Sequence, residues 1–173
     1  MPSVHPSEES LQRQYVLVSL EEAQATVRAY DTKAQIVGIG YTFALNIVAN
    51  VIGGLPGYGN EGVIYVTLFW TVVMAPLFLF GYVLYPSRRT APKVDDDTEA
   101  GVQRVLYVQT ARHRTVADLQ SAVSKADWLA ELAYEVLKVS KLREQKRLRF
   151  IVALYATVFS FALLAVKQLL SVI

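Results

Sequence analysis

Three long apolar stretches dominate the pattern of hydrophobic and polar positions in this chain. They cover about residues 34–55, 63–84 and 150–170. Each has roughly the 20 residues that a helix needs to cross a hydrocarbon layer about 30 Å thick. The first two contain no charged residue, and the third contains only Lys167. The pattern therefore predicts three membrane-spanning helices.

Helical periodicity also extends outside the apolar stretches. A helix is predicted from about Glu8 or Ser10 straight into the first span, because no proline or glycine interrupts residues 8–37. After the second span, a short helix is predicted over residues 102–113. A longer helix is predicted from about Val116 without a break into the third span. The predicted fold is an all-α membrane protein with an N-terminal helix, a transmembrane hairpin, and cytoplasmic helices that run into a third transmembrane helix.

The charges predict how the chain lies across the membrane. Residues 1–33 hold three basic and five acidic residues, residues 85–149 hold 13 basic and nine acidic residues, and the loop 56–62 holds no basic residue. Because basic residues near span ends stay in the cytoplasm, the N-terminus and the long charged segment are expected to be cytoplasmic. The predicted parts are a cytoplasmic arm (1–33), a transmembrane hairpin (34–85), a cytoplasmic linker with helices (86–149) and a third span (150–173).

The composition argues against catalysis. The chain has no cysteine and two histidines, so thiolate chemistry is excluded and no metal site is expected. It contains no glycine-rich phosphate loop. The acidic run Asp95–Asp97 lacks the ligand pattern of a calcium loop and is interpreted as a solvated linker. We therefore expect no catalytic residue, no metal, no cofactor and no nucleic-acid partner.

Four residues stand out within the predicted hairpin. Asn46 and Asn50 lie four apart on one helical face, with Gly53 on the same face. Lipid offers an amide no partner, so these asparagines are expected to face other helices. They fit either helix packing within one protomer, or a seam between protomers or a conducting path. Pro76 in the second span is expected to kink its helix.

The charged segment carries two further patterns. A heptad-like row of apolar residues predicts close packing against a partner helix; its members are Leu119, Val123, Ala126, Ala130, Ala133 and Leu137. Six basic residues crowd the stretch before the third span, namely Lys138, Lys141, Arg143, Lys146, Arg147 and Arg149. Such a cluster is typical of cytoplasmic retention and attraction to anionic lipid, and it could also hold an anionic ligand.

Three motifs, in order, resemble the Pycsar effector transmembrane domain family. They are the entry AYDTKAQIVGIGYTFALN with its Asp-x-Lys-Ala sequence, the exit YVLYPSRR, and the approach YEVLKVSKLREQKRLRF. The resemblance implies a bacterial inner-membrane protein with an antiphage role, linked to a pyrimidine nucleotide cyclase. It implies that cyclic UMP or cyclic CMP activates the protein, which then disrupts the membrane and causes abortive infection. The residues that match are Asp31, Lys33, Ala34, Ser140, Lys141 and Lys146.

The matching charges suggest a latch. Asp31 and the two lysines Lys141 and Lys146 lie where their helices are predicted to enter the membrane. An ion pair between Asp31 and either lysine could hold the helices together, and an anionic nucleotide could compete for the lysine. Three spans are too few to enclose a pore, so a homo-oligomer in the bilayer is expected.

Two other functions fit parts of the sequence. A small channel or transporter subunit would conduct without a signal and would carry polar pairs in more than one span. A membrane scaffold would dock a soluble partner through the row from Leu119 to Leu137. The neighbouring gene would discriminate among these interpretations, because a nucleotide cyclase beside this one favours the effector.

Overall fold

The computed structural model describes residues 8–51, 62–85, 102–106 and 113–172. Within these residues the chain forms four helices and no strand, which confirms the predicted all-α class. The helices are α1 (Glu8–Val51), α2 (Val63–Leu84), α3 (Val116–Lys125) and α4 (Trp128–Val172). The predicted loop before Gly62 and the predicted linker 86–100 lie outside the described residues.

Helix α2 has the predicted bounds, and α1 has the predicted start. Helix α1 begins at Glu8 and continues without a break through the start of the first apolar stretch, as predicted. Helix α2 covers the second apolar stretch from Val63 to Leu84. Pro76 is buried inside α2 and does not end it. Because proline has no amide hydrogen, the Val72 carbonyl loses its usual partner in the helix.

The prediction of one unbroken helix from Val116 is wrong, because the chain leaves the helix at Ala126 and Asp127. Helix α3 begins where predicted, with the Thr115 hydroxyl accepting a hydrogen bond from the Asp118 amide at 3.1 Å. Asp127 then starts α4, because its carboxylate accepts hydrogen bonds from the amides of Leu129 and Ala130 at 2.9 and 3.3 Å. A side chain that satisfies these free amides favours a new helix start over continuation.

Two further expectations for this region are corrected. Residues 102–106 are not helical, and Arg104 has a left-handed backbone with φ of 60°. The rest of the predicted helix up to residue 112 lies outside the described residues. The heptad-like row from Leu119 to Leu137 is divided between α3 and α4, and Val123 and Leu137 in it are exposed. One continuous partner-binding stripe is therefore absent from the described helices.

The chain divides into two compact units. The first, called here the charged unit, comprises Met1–Val27 and Ser87–Glu144. The second, called here the apolar unit, comprises Arg28–Pro86 and Gln145–Ile173. The apolar unit contains α2, the C-terminal part of α1 and the C-terminal part of α4, and thus all three predicted spans.

The core of the apolar unit consists of two clusters in which α1, α2 and α4 meet. One comprises Ala34, Phe80, Val83, Phe150 and Ala153, and the other comprises Phe69, Val73 and Leu164 with Leu45, Val48 and Phe161 packed against them. Gly38 of α1 lies next to this cluster, and a Cβ added there would be in van der Waals contact with the Phe80 Cβ at 3.4 Å. Apolar packing therefore positions the polar residues described below.

Two described helices are long and apolar enough to cross a membrane, namely α2 and the segment Trp128–Leu170 that contains the third predicted span. The first predicted span is helical up to Val51, where the described part of α1 ends. Its passage through the membrane stays a prediction, as does the topology of all three spans.

Candidate functional site

An ion pair joins α1 to α4 within the apolar unit. Lys146 Nζ donates to Asp31 Oδ1, and the Lys146 side chain is only 6% exposed whereas that of Asp31 is 32% exposed. The sequence suggested an ion pair of Asp31 with either Lys141 or Lys146, and the pair with Lys146 is present. Its role as a latch stays a prediction.

Packing fixes the position of this ion pair. Asp31 lies one turn before Ala34 on α1, and Lys146 lies one turn before Phe150 on α4. Ala34 and Phe150 belong to the same buried cluster, and the Tyr30 ring packs on Phe150 with centroids 6.0 Å apart. The cluster therefore holds the two charged side chains at a fixed separation at the edge of the apolar core.

Polar groups suited to binding a ligand flank Lys146 on α4. Arg149 places its guanidinium 4.1 Å from the centroid of the Tyr82 ring, a cation–π contact. Arg149 Nη1 and Gln145 Oε1 are buried atoms without a hydrogen-bond partner in the part of the chain that the structure describes. Unsatisfied buried polar atoms are uncommon in folded proteins. Together with Lys146 they provide cationic donors and a carbonyl acceptor within about one helical turn.

The remaining predicted ligand residues are distributed over both units. Lys33 is exposed in the apolar unit, with Nζ 5.8 Å from the centroid of the Tyr30 ring. Ser140 and Lys141 are half-buried on the part of α4 that belongs to the charged unit. Among the residues that the structure describes, no group of three histidine or acidic side chains could hold a metal ion.

A buried hydrogen-bond node links all three helices deeper in the apolar unit. Tyr41 is 2% exposed and Ser160 is fully buried. The Tyr41 hydroxyl lies 2.6 Å from the Val73 carbonyl oxygen and 2.5 Å from Ser160 Oγ. Because a carbonyl can only accept, the tyrosine proton goes to Val73, and the Ser160 hydroxyl must donate to the tyrosine oxygen. One tyrosine thus connects α1 to both α2 and α4.

Replacing Tyr41 with phenylalanine is expected to lower the free energy of unfolding by about 1 kcal/mol, the scale of interhelical hydrogen bonds in membranes. Two bonds are lost, but the ring and its edge contact with Phe161 remain. Sodium dodecyl sulfate titration in mixed micelles, followed by far-ultraviolet circular dichroism, measures the change. Thr71→Val is the control, because the Thr71 hydroxyl donates to the Thr67 carbonyl of its own helix and joins no other described helix. Equal stabilities for the two variants would contradict the node.

The predicted packing residues of the hairpin have varied surroundings. Asn46 and Asn50 are exposed, and Asn46 also lines the edge of a cavity that Trp70 and Met74 of α2 share with Leu164 of α4. Asn50 Nδ2 donates to the Asn46 carbonyl oxygen at 2.8 Å and to Asn46 Oδ1 at 3.1 Å. Gly53 lies outside the described residues. Both alternatives for the two asparagines therefore stay predictions, namely packing within one protomer and a seam between protomers or a conducting path.

The charged unit contains a buried carboxylate that the sequence analysis missed. Glu131 is 1% exposed. Its carboxylate accepts hydrogen bonds from three successive backbone amides, those of Gln103, Arg104 and Val105. Successive amides in a turn form a concave anion-binding nest, and the left-handed backbone of Arg104 belongs to this turn. The nest thus fixes the segment 102–106 to the start of α4.

His113 adds a second connection to the same segment. His113 Nε2 lies 3.3 Å from the Arg104 carbonyl oxygen, and Nδ1 lies 3.4 Å from Asp118 Oδ2. The sequence contains a signal for the helix start in this arrangement. Asp127 in an N-cap position indicates a helix start at Trp128, whereas the pairing of Glu131 with residues so far away in sequence has no local signal.

The family of the chain follows from its sequence as a whole. The chain matches the Pycsar effector protein domain over residues 15–172. No curated protein and no solved structure shows a significant match to it. The matched region includes the Asp31–Lys146 ion pair, the Tyr41 node and the Glu131 nest. Because the match covers nearly the whole chain, this protein belongs to the Pycsar effector family, whose role is in Pycsar antiphage defence.

Proposed function

We propose that this protein is a three-span effector of the bacterial inner membrane that disrupts that membrane when it binds cyclic UMP or cyclic CMP. A pyrimidine nucleotide cyclase supplies the ligand during phage infection, and the resulting loss of membrane integrity stops phage propagation. Family membership over residues 15–172 is the observation that carries this proposal. Two helices of sufficient length and hydropathy support the membrane location.

The trigger acts on the ion pair between Asp31 and Lys146. A cyclic nucleotide carries one phosphodiester negative charge, and this anion competes with the Asp31 carboxylate for the Lys146 ammonium. Asp31 is partly exposed, which gives water and ligand access to the pair. Arg149 Nη1 adds a donor for phosphate or for a pyrimidine carbonyl, and Gln145 Oε1 adds an acceptor for a base N–H. Ligand binding thus replaces an internal ion pair with an external one.

Release of Asp31 then frees α1 from α4. The two helices share the cluster around Phe150 with α2, so a change at the ion pair alters the packing of all three. A ligand shifts such an equilibrium only by its difference in affinity for the two states. The nucleotide satisfies this condition because it binds the state in which Lys146 is unpaired. The rearranged helices, together with those of neighbouring copies, permeabilise the bilayer.

Dye uptake by bacteria that express the chain tests this function. Propidium iodide is expected to enter cells after production of cyclic UMP or cyclic CMP by a co-expressed cyclase, and to stay out of cells with a catalytically inactive cyclase. Cells that make a cyclic purine nucleotide are the control for ligand class. Uptake that is independent of every nucleotide would indicate a constitutive channel instead, and a chain recovered in the soluble fraction would refute the membrane location.

A further inference from the structure

Helix α1 presents an exposed row of side chains with heptad spacing within the first predicted span. This row, called here the α1 seam, consists of Ile36, Ile39, Phe43, Asn46 and Asn50. Its three apolar members are 57–68% exposed. Positions spaced alternately three and four residues apart lie along one side of a helix, as in the contact row of a coiled coil.

The two asparagines of the α1 seam have hydrogen-bonding groups that a single chain leaves unused. Asn50 Nδ2 already donates to Asn46. Both N–H groups of Asn46 Nδ2 and the Asn50 Oδ1 acceptor have no partner among the described residues. Asn46 Oδ1 accepts one bond and has capacity for a second. Within the described helices, Asn46 therefore leaves both a donor and an acceptor unused.

Three threonine side chains of the predicted spans do not share this deficit. The hydroxyls of Thr42, Thr71 and Thr157 each donate to a carbonyl one turn back in their own helix. A hydroxyl satisfied in this way can face lipid at little cost, whereas an amide cannot satisfy both its donors and its acceptor within one helix. The amide groups on α1 thus need an external partner, and hydrocarbon provides none.

A second copy of the same chain fits this need. An amide is self-complementary, because the N–H of one asparagine can donate to the carbonyl oxygen of another. A buried asparagine in a mainly apolar heptad row also specifies register and oligomeric state. The neighbours Ile39 and Phe43 supply the apolar contacts on either copy, and two copies inserted in the same orientation bring equal positions together.

We propose that α1 pairs in parallel with α1 of a second copy along the α1 seam, with the Asn46 amides hydrogen-bonded to each other inside the membrane. This inference rests on the proposed function for the placement of α1 in the bilayer, and it assigns the contact through which copies of the effector associate. Association at this seam needs no nucleotide. The asparagine amides are already exposed in the structure in which Asp31 and Lys146 form their ion pair.

Disulfide cross-linking tests the seam cleanly because the chain contains no cysteine. Phe43→Cys places a thiol on the seam, and Phe159→Cys places one on the exposed face of α4. The two phenylalanines are 68% and 62% exposed, and each lies equally far beyond the start of its predicted span. In isolated membranes treated with copper phenanthroline, Phe43→Cys is expected to form dimers at least fivefold faster than Phe159→Cys.

A second substitution tests the role of the amide. Adding Asn46→Leu to Phe43→Cys is expected to lower the rate of dimer formation about fivefold, a change in the range of membrane hydrogen bonds. Asn46→Gln keeps an amide and is expected to retain at least half of the rate. Circular dichroism of each variant checks that the helices are intact. Equal cross-linking at Phe43 and Phe159, or a rate unaffected by Asn46→Leu, would overturn the seam.

These outcomes separate the seam from the proposed function. Membrane extraction with alkaline carbonate shows first whether the chain is an integral membrane protein. If it is, and dye uptake follows nucleotide production while Phe43→Cys fails to cross-link, the seam alone is wrong. If Phe43→Cys cross-links selectively while no nucleotide causes dye uptake, the seam holds and the proposed trigger is wrong.

Discussion

Replacing Asp31 with alanine is expected to destabilise the apolar unit by about 3 kcal/mol, the low end of the cost of breaking a buried ion pair. The cost arises because the Lys146 ammonium, whose side chain is only 6% exposed, loses its carboxylate partner. Lys146→Met is expected to cost less than Asp31→Ala, since the Asp31 left behind is one-third exposed and can be hydrated. This asymmetry follows directly from the unequal burial of the two partners.

The double variant Asp31→Ala with Lys146→Met gives the sharpest result. It removes the unpaired buried charge, so it is expected to regain most of the stability that Asp31→Ala loses. Trp70 lies in the apolar unit, so its fluorescence in a Trp128→Phe background follows unfolding of that unit during detergent titration. Glu22→Ala removes an exposed carboxylate from the same helix and is expected to change stability by less than about 0.5 kcal/mol.

The same variants test the latch. If the ion pair holds the inactive state, Asp31→Ala permits dye uptake in cells that make no cyclic nucleotide, and Asp31→Asn has the same effect to a smaller degree. Lys146→Met removes both the latch and the ligand-binding ammonium, so uptake in this variant no longer depends on the nucleotide. A stable Asp31→Ala protein that still requires the nucleotide would show that the pair is structural and does not control activation.

The predicted elements that the structure confirms depend on local sequence. Helix α2 occupies the second apolar stretch because length and hydropathy alone determine where such a helix begins and ends. The start of α1 at Glu8 likewise follows from periodicity without an interrupting proline or glycine. The Asp31–Lys146 pair could be anticipated because each residue lies just before an apolar stretch. Two charges at the same predicted membrane surface lie at the same depth, where they can pair.

The features that sequence reasoning missed depend on which faces of distant elements meet. Ser160 is a small polar residue in an apolar span, and nothing local identifies Tyr41 as its partner. The break at Asp127 occurs where alanines before and after favour helix, so propensity argued for continuation. Two carboxylates determine the structure there. The Asp127 carboxylate caps the start of α4, and the Glu131 carboxylate binds the distant nest of backbone amides. Tertiary hydrogen bonds thus override local preference in the charged unit.

Glu131→Ala is expected to produce the largest effect in the charged unit, a loss of about 3 kcal/mol of local stability. Three backbone amides lose a charged acceptor, and hydrogen bonds to charged groups are worth about 1.5–3 kcal/mol each. The Gln103 amide can be hydrated because its residue is exposed, but Val105 is buried. Glu131→Gln keeps the shape and one acceptor, so about half of this loss is expected.

Trypsin cleavage after Arg104 measures this local change in the detergent-solubilised chain. Glu131→Ala frees the segment 102–106, so cleavage at Arg104 is expected to accelerate more than tenfold, whereas cleavage at the exposed Arg13 on α1 provides an internal reference. Glu21→Ala, which removes an exposed carboxylate in the same unit, is the control variant. Fluorescence of Trp128 in a Trp70→Phe background reports whether the start of α4 unfolds as well. If Arg104 is cleaved equally fast in the parent chain and in Glu131→Ala, the carboxylate does not hold the nest, and the segment has another anchor.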